Sequence, residues 1–157
     1  MKKFNFYAKD IAEYFLAQPT TNNSEQITPL KLQKLLYYAQ GFTLAILGKK
    51  LFADRIEAWR HGPVCPSIYK KYKRYSYHPL PRFENISKLN EIKSNKEVAA
   101  ILDAVWLYFK DYSGNQLEEM THQEAPWQNA VAKGLNTEIT DQDLLEYFRG
   151  FVKNETV

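Results

Sequence analysis

From Leu35 to Gly48 the chain runs fourteen residues without a charge. That is short of the roughly 20 apolar residues that span a bilayer, so the stretch predicts a helix buried in protein. Its ends are marked. Thr28 offers a side-chain oxygen to free N–H groups, Pro29 suits the first helical position, and Gly48 stands where a C-terminal cap belongs, which sets a helix over about 29–47. At about 100° per residue, Leu32, Leu35, Leu36, Ala39, Phe42, Ile46 and Leu47 form one wide band, and Tyr37, Tyr38 and Ala45 lie toward the opposite face. A helix that is apolar or aromatic nearly all round belongs at the centre of a fold.

The flanking segments supply what packs around it. Tyr7, Ile11 and Phe15, with Ala8, Ala12 and Leu16 beside them, predict a first helix over about 4–17, ended by Pro19 and the polar Thr20–Gln26 stretch. Between Leu51 and Val64 the helical period disappears. Ile56, Ala58 and Arg60 alternate there with Glu57, Trp59 and His61, and His61-Gly62-Pro63 imposes a turn. A third helix from about Pro66 to Tyr75 turns Ile68, Tyr72 and Tyr75 to one side and Lys70, Lys73 and Arg74 to the other. Residues 84–93 read as an irregular connector. Ser94 and Glu97 fit a capping box that opens a fourth helix carrying Val98, Ile101, Leu102, Val105, Phe109 and Tyr112, which Gly114 stops. Short helices follow over about 115–121 and 126–133, the second with Pro126 at its first position. Thr140 caps a last helix, Ile139 and Leu144 form its hydrophobic staple, and Leu144, Leu145, Phe148, Phe151 and Val152 supply its buried face. The expectation is a mostly α, compact single domain over residues 1–157, with one short extended or hairpin-like piece around residues 51–64.

Charge is distributed unevenly. The net +3 conceals an acid-free stretch from Ala58 to Phe83 that holds Arg60, Lys70, Lys71, Lys73, Arg74 and Arg82, followed by a part with thirteen acids against seven bases. One side basic and one side acidic is the expected result. The single cysteine, Cys65, forms no internal disulfide, and with three histidines it does not make up a four-ligand zinc site, so no metal is expected. Five residues separate Lys3 from Lys9, too few for the apolar part of a signal peptide. A cytoplasmic protein without a membrane segment is the expectation.

Three constellations bear on chemistry. The run Tyr69-Lys70-Lys71-Tyr72-Lys73-Arg74-Tyr75-Ser76-Tyr77 interleaves cations with aromatics, as a single-stranded nucleic-acid surface requires. The helical projection instead anchors Tyr72 and Tyr75 in the core, which makes nucleic acid the lesser reading and an acidic protein partner the stronger. Cys65 with His61 and His122 could form a nucleophile and base, yet nothing in the spacing brings them together and no nucleophile elbow is present. Thr121–Trp127 is dense enough in unusual residues to serve as a recognition loop, but the stronger reading is structural: His122 caps the carbonyl end of one short helix, Pro126 opens the next and Trp127 fills the core. No Walker A sequence, GxGxxG or HExxH occurs, so neither catalysis nor a cofactor is expected.

Three separated motifs then combine. Ile27-Thr28-Pro29-Leu30-Lys31-Leu32-Gln33-Lys34-Leu35-Leu36-Tyr37-Tyr38-Ala39-Gln40-Gly41, Glu57-Ala58-Trp59-Arg60-His61-Gly62-Pro63-Val64 with Pro66 and Tyr69, and Thr121-His122 with Glu124, Pro126 and Trp127 together resemble the Panacea domain family over about residues 5–150. That family includes SocA-like antitoxins and phage-associated proteins. The resemblance implies a non-enzymatic antitoxin that neutralises a cognate toxin, encoded by a neighbouring gene, through direct binding. The alternatives are a nucleic-acid-associated regulator and a proteolytic adaptor that delivers a partner to a protease. By position, the Thr28–Gly41 run is mainly fold-forming. Trp59, Arg60, His61 and Tyr69, with Lys70, Lys73 and Arg74 beside them, are the candidate partner contacts.

Overall fold

The computed structural model describes residues 2–155, and the fold is mostly α with small strands in two sheets. The predicted central helix is α2, Pro29–Leu47. Thr28 Oγ1 accepts from Lys31 N–H at 3.2 Å, and Gly48 closes the helix at φ +68°. Every residue from Lys31 to Gly41 is buried. Around this rod pack α1 (Ala8–Leu16), α3 (Pro66–Tyr72), α5 (Lys96–Phe109), α6 (Gly114–His122) and α8 (Asp141–Glu155). No helix among the described residues is long and apolar enough to cross a membrane.

Four polar side chains on α2 point inward, and each holds the backbone of a neighbouring segment. Gln40 Nε2 donates to Phe52 O and its Oε1 accepts from Leu51 N–H, both at 2.8 Å. Gln33 grips both backbone groups of Cys65, accepting from its N–H at 2.7 Å and donating to its carbonyl at 3.2 Å. Lys34 Nζ donates to Pro63 O at 3.1 Å, and Lys31 Nζ donates to the carbonyls of Ser24 and Lys110. Irregular chain packed on a core helix loses water as a partner, and these side chains replace it.

The extended piece is larger than its sequence suggests. β3 (Glu57–Trp59) pairs antiparallel with both β4 (Gly62–Val64) and β5 (Thr137–Glu138), while β1 (Lys3–Phe6) pairs in parallel with β2 (Lys50–Phe52). Residues 4–6 are therefore strand, not the start of the first helix. The helix begins at Ala8 because Asp54 accepts the Ala8 N–H at 2.9 Å and Asp10 accepts the Tyr7 N–H at 2.8 Å. Four further expectations change. Residues 84–93 are largely ordered as a 3-10 turn, Ile86–Leu89, running into α4, Asn90–Ser94. Asn95, not Ser94, caps α5, accepting from Val98 N–H at 3.2 Å, because Ser94 is spent closing α4 on Glu91 O. Gly114 opens α6 rather than ending α5, and its bare Cα is needed where a Cβ would come within 3.0 Å of the Lys31 amide. Ile46 and Phe151, both expected in the core, stand about half exposed at 49% and 48% where α2 and α8 leave it.

The seat of α8 depends on another glycine. A Cβ at Gly41 would lie 2.2 Å from the ring of Phe148, which is itself buried and packed edge-on against Tyr37 and Phe42. Gly41→Ala gains about 1 kcal/mol in helix propensity but forces the ring out of place, at about 1–3 kcal/mol or more. Urea denaturation should show a net loss that shrinks in a Phe148→Leu background. An unchanged midpoint would mean that the ring does not seat there.

Candidate functional site

The β3–β4 hairpin is held from both sides. From within, Lys34 and Gln33 bind the carbonyl of Pro63 and the backbone of Cys65. Gly62 permits this approach, since at φ +104° a Cβ would meet Lys34 Cε at 2.8 Å and Thr121 Oγ1 at 2.9 Å. From without, His122 Nε2 lies 3.1 Å from Arg60 O, and Trp127 Nε1 donates to Trp59 O at 2.9 Å. A carbonyl only accepts, so His122 carries its proton on Nε2. His122 thus ties α6 to the hairpin instead of capping its own helix. Trp127, half-buried at the start of α7 (Ala125–Ala132), packs against the edge of the core and lies tilted against that imidazole with centroids 4.2 Å apart.

This bracing opens a cleft of about 630 Å³ between the hairpin, α3, α6 and the N-terminal end of α2. Leu30, Leu32, Val64 and Ile68 supply aliphatic walls, and Trp59 and Tyr69 add two aromatic rings with centroids 5.0 Å apart and planes at 64°. The Trp59 indole donates to Glu57 Oε1 at 2.9 Å, which fixes its orientation. Arg60, His61 and Glu118 also line it, the last two 3.2 Å apart, as do Tyr72 and the polar Gln33 and Asn115. Four sequence-predicted residues, Trp59, Arg60, His61 and Tyr69, therefore meet in one place. Lys70, Lys73 and Arg74 do not line the cleft but stand exposed along α3 and the 3-10 turn Lys73–Tyr75 beyond it. Among the described residues none of Arg60, Lys70, Lys73 and Arg74 forms an ion pair.

The thiol of Cys65 is buried, 3.4 Å from Ser67 Oγ, and that burial pushes its pKa up. A thiol held protonated is a poor nucleophile. His61 and His122 are engaged with Glu118 and Arg60, so the structure does not assemble the cysteine–histidine pair. Sequence reasoning missed Glu124. Its carboxylate accepts from the Tyr37 and Tyr38 hydroxyls, both at 2.8 Å, joining α2 to the start of α7. Burial raises the pKa of Glu124 and the tyrosine hydrogen bonds oppose that rise. Two adjacent core tyrosines were the available signal, because each buried hydroxyl needs a partner.

Residues 32–128 match the family model described as antitoxin SocA-like, Panacea domain, a span that contains the hairpin, α3 and α6. The chain belongs to this family. It is similar to antitoxin SocA of Caulobacter vibrioides (strain NA1000 / CB15N), at 31% identity over 121 residues. The alignment covers 72% of this chain and 64% of that protein, so the chain spans a little under two thirds of its relative's length. No solved structure gives a significant match.

Lys34 lies directly beneath the site. Burial lowers its pKa from 10.5 to about 7, with Glu118 opposing the shift. Between those values the unfolded chain holds the proton and the folded chain releases it, so stability rises with pH across that window. Relative to Lys34→Met, which does not titrate, the protein should gain up to about 1.4 kcal/mol per pH unit between pH 7 and 10. Urea midpoints of both proteins at several pH values test this. Parallel profiles would mean that the folded protein keeps the ammonium charged.

Proposed function

We propose that the protein is a cytoplasmic, antitoxin-type binding module that neutralises a toxin encoded by a neighbouring gene through stoichiometric, non-catalytic contact at the Trp59–Tyr69 cleft. One observation carries the reading: side chains from separate parts of the family-matched region converge on an apolar cleft whose cationic surroundings are unpaired among the described residues. Family membership supports the antitoxin role. A desolvated aromatic anchor ringed by charge is how tight protein interfaces divide the work, with anchors giving affinity and charges steering encounter.

Co-expression with the adjacent reading frame tests it. The neighbour alone should arrest growth, and this chain should restore growth and co-purify with the neighbour. Trp59→Ala should weaken the complex by about 2 kcal/mol or more, about thirtyfold in affinity, while leaving the thermal melt close to that of the parent. A neighbour that is harmless alone and does not co-purify would overturn the proposal.

A further inference from the structure

The cleft carries information about the chemistry of what fills it. α3 and the turn after it carry two sets of side chains. Tyr69 and Tyr72, three residues apart, line the cleft, while Lys70 on α3 and Lys73 and Arg74 on the 3-10 turn that follows stand exposed next to them in the chain. Arg60 adds a cation from the turn of the β3–β4 hairpin. The one acid in the lining, Glu118, is engaged by His61 at 3.2 Å and is outnumbered by these cations. The rim is therefore cationic around an apolar interior.

Two further features narrow the occupant. The β4 edge is closed, because Lys34 and Gln33 already take the Pro63 carbonyl and both backbone groups of Cys65. A partner strand has nothing there to pair with, so recognition falls to side chains. The Trp59–Tyr69 pair meets edge-on at 64°, and Leu30, Leu32, Val64 and Ile68 give the cleft an aliphatic stretch of wall. Stacked bases need open, flat platforms, whereas aliphatic walls suit an apolar side chain.

We propose that the cleft takes an acidic segment of a partner protein, an apolar side chain of which seats among Trp59, Val64, Ile68 and Tyr69 while its carboxylates meet Arg60, Lys70, Lys73 and Arg74. The inference rests on the reading of this site as a protein-binding cleft. A random-peptide display library selected on the purified chain tests it without knowledge of the partner. Recovered peptides should be rich in Asp and Glu around Phe, Leu or Trp, and their affinity should fall with salt. Binding should drop by about tenfold or more in Lys70→Glu/Lys73→Glu/Arg74→Glu and in Trp59→Ala, with Tyr69→Ala as a second, surface variant. Lys93→Glu/Lys96→Glu/Lys133→Glu, equal in charge change and away from the cleft, should bind as the parent does. Neutral or basic consensus peptides, peptides that bind the cleft variants undiminished, an empty selection, or single-stranded DNA that displaces the selected peptides would each overturn the inference. The growth assay separates the two proposals. Rescue retained by the charge-reversed variant would leave the antitoxin role standing and remove the acidic segment, whereas a harmless neighbour would remove the role without touching the peptide result.

Discussion

The fold depends on polar side chains pointing into it from its central helix. Lys31, Gln33, Lys34 and Gln40 are buried on α2, where an all-apolar helix would be the simpler solution. Each unpartnered backbone group in a buried segment costs about 1–3 kcal/mol, and these four side chains satisfy eight such groups, from Ser24 to Lys110. Short strands and turns that could not persist alone become fixed extensions of one rod. Removing one clamp would leave both a cavity and an orphaned polar group.

The candidate site follows from this arrangement. The β3–β4 hairpin is only two three-residue strands and a turn, yet it is gripped by α2 within and by His122 and Trp127 without. Its outer side chains are therefore presented in fixed positions, which lowers the entropy cost of engaging a partner. The unpaired cations have a complementary origin. The acidic part of the chain lies mostly beyond residue 84, and apart from Glu118 none of its acids lines the cleft.

The elements read most easily were those with a strong local signal. Thr28, Pro29 and Gly48 bound α2 as their cap chemistry requires, and Thr140 accepts from Asp143 N–H at 3.1 Å at the start of α8. β1 and β5 were not legible, because Lys3–Phe6 and Thr137–Glu138 take their conformation from partners distant in the chain. Ser94 and Asn95 both suit a cap, and only the preceding short helix decides between them. The site was partly legible: Trp59, Arg60, His61 and Tyr69 stood out as unusual residues around a turn, whereas Leu30, Leu32 and Glu118 in the same cleft look like ordinary helix positions.

By itself the sequence determined the central helix, the predominance of α structure, the acid-free stretch and the family resemblance, since all of these reside in local pattern. The tertiary structure decided which polar residues are clamps, which histidine braces the hairpin, that Cys65 is a buried thiol, and that an apolar cleft lies beside the basic row. Those depend on contacts between residues dozens of positions apart, such as Lys34 with Pro63 and Tyr37 with Glu124, where local pattern carries no information about the partner.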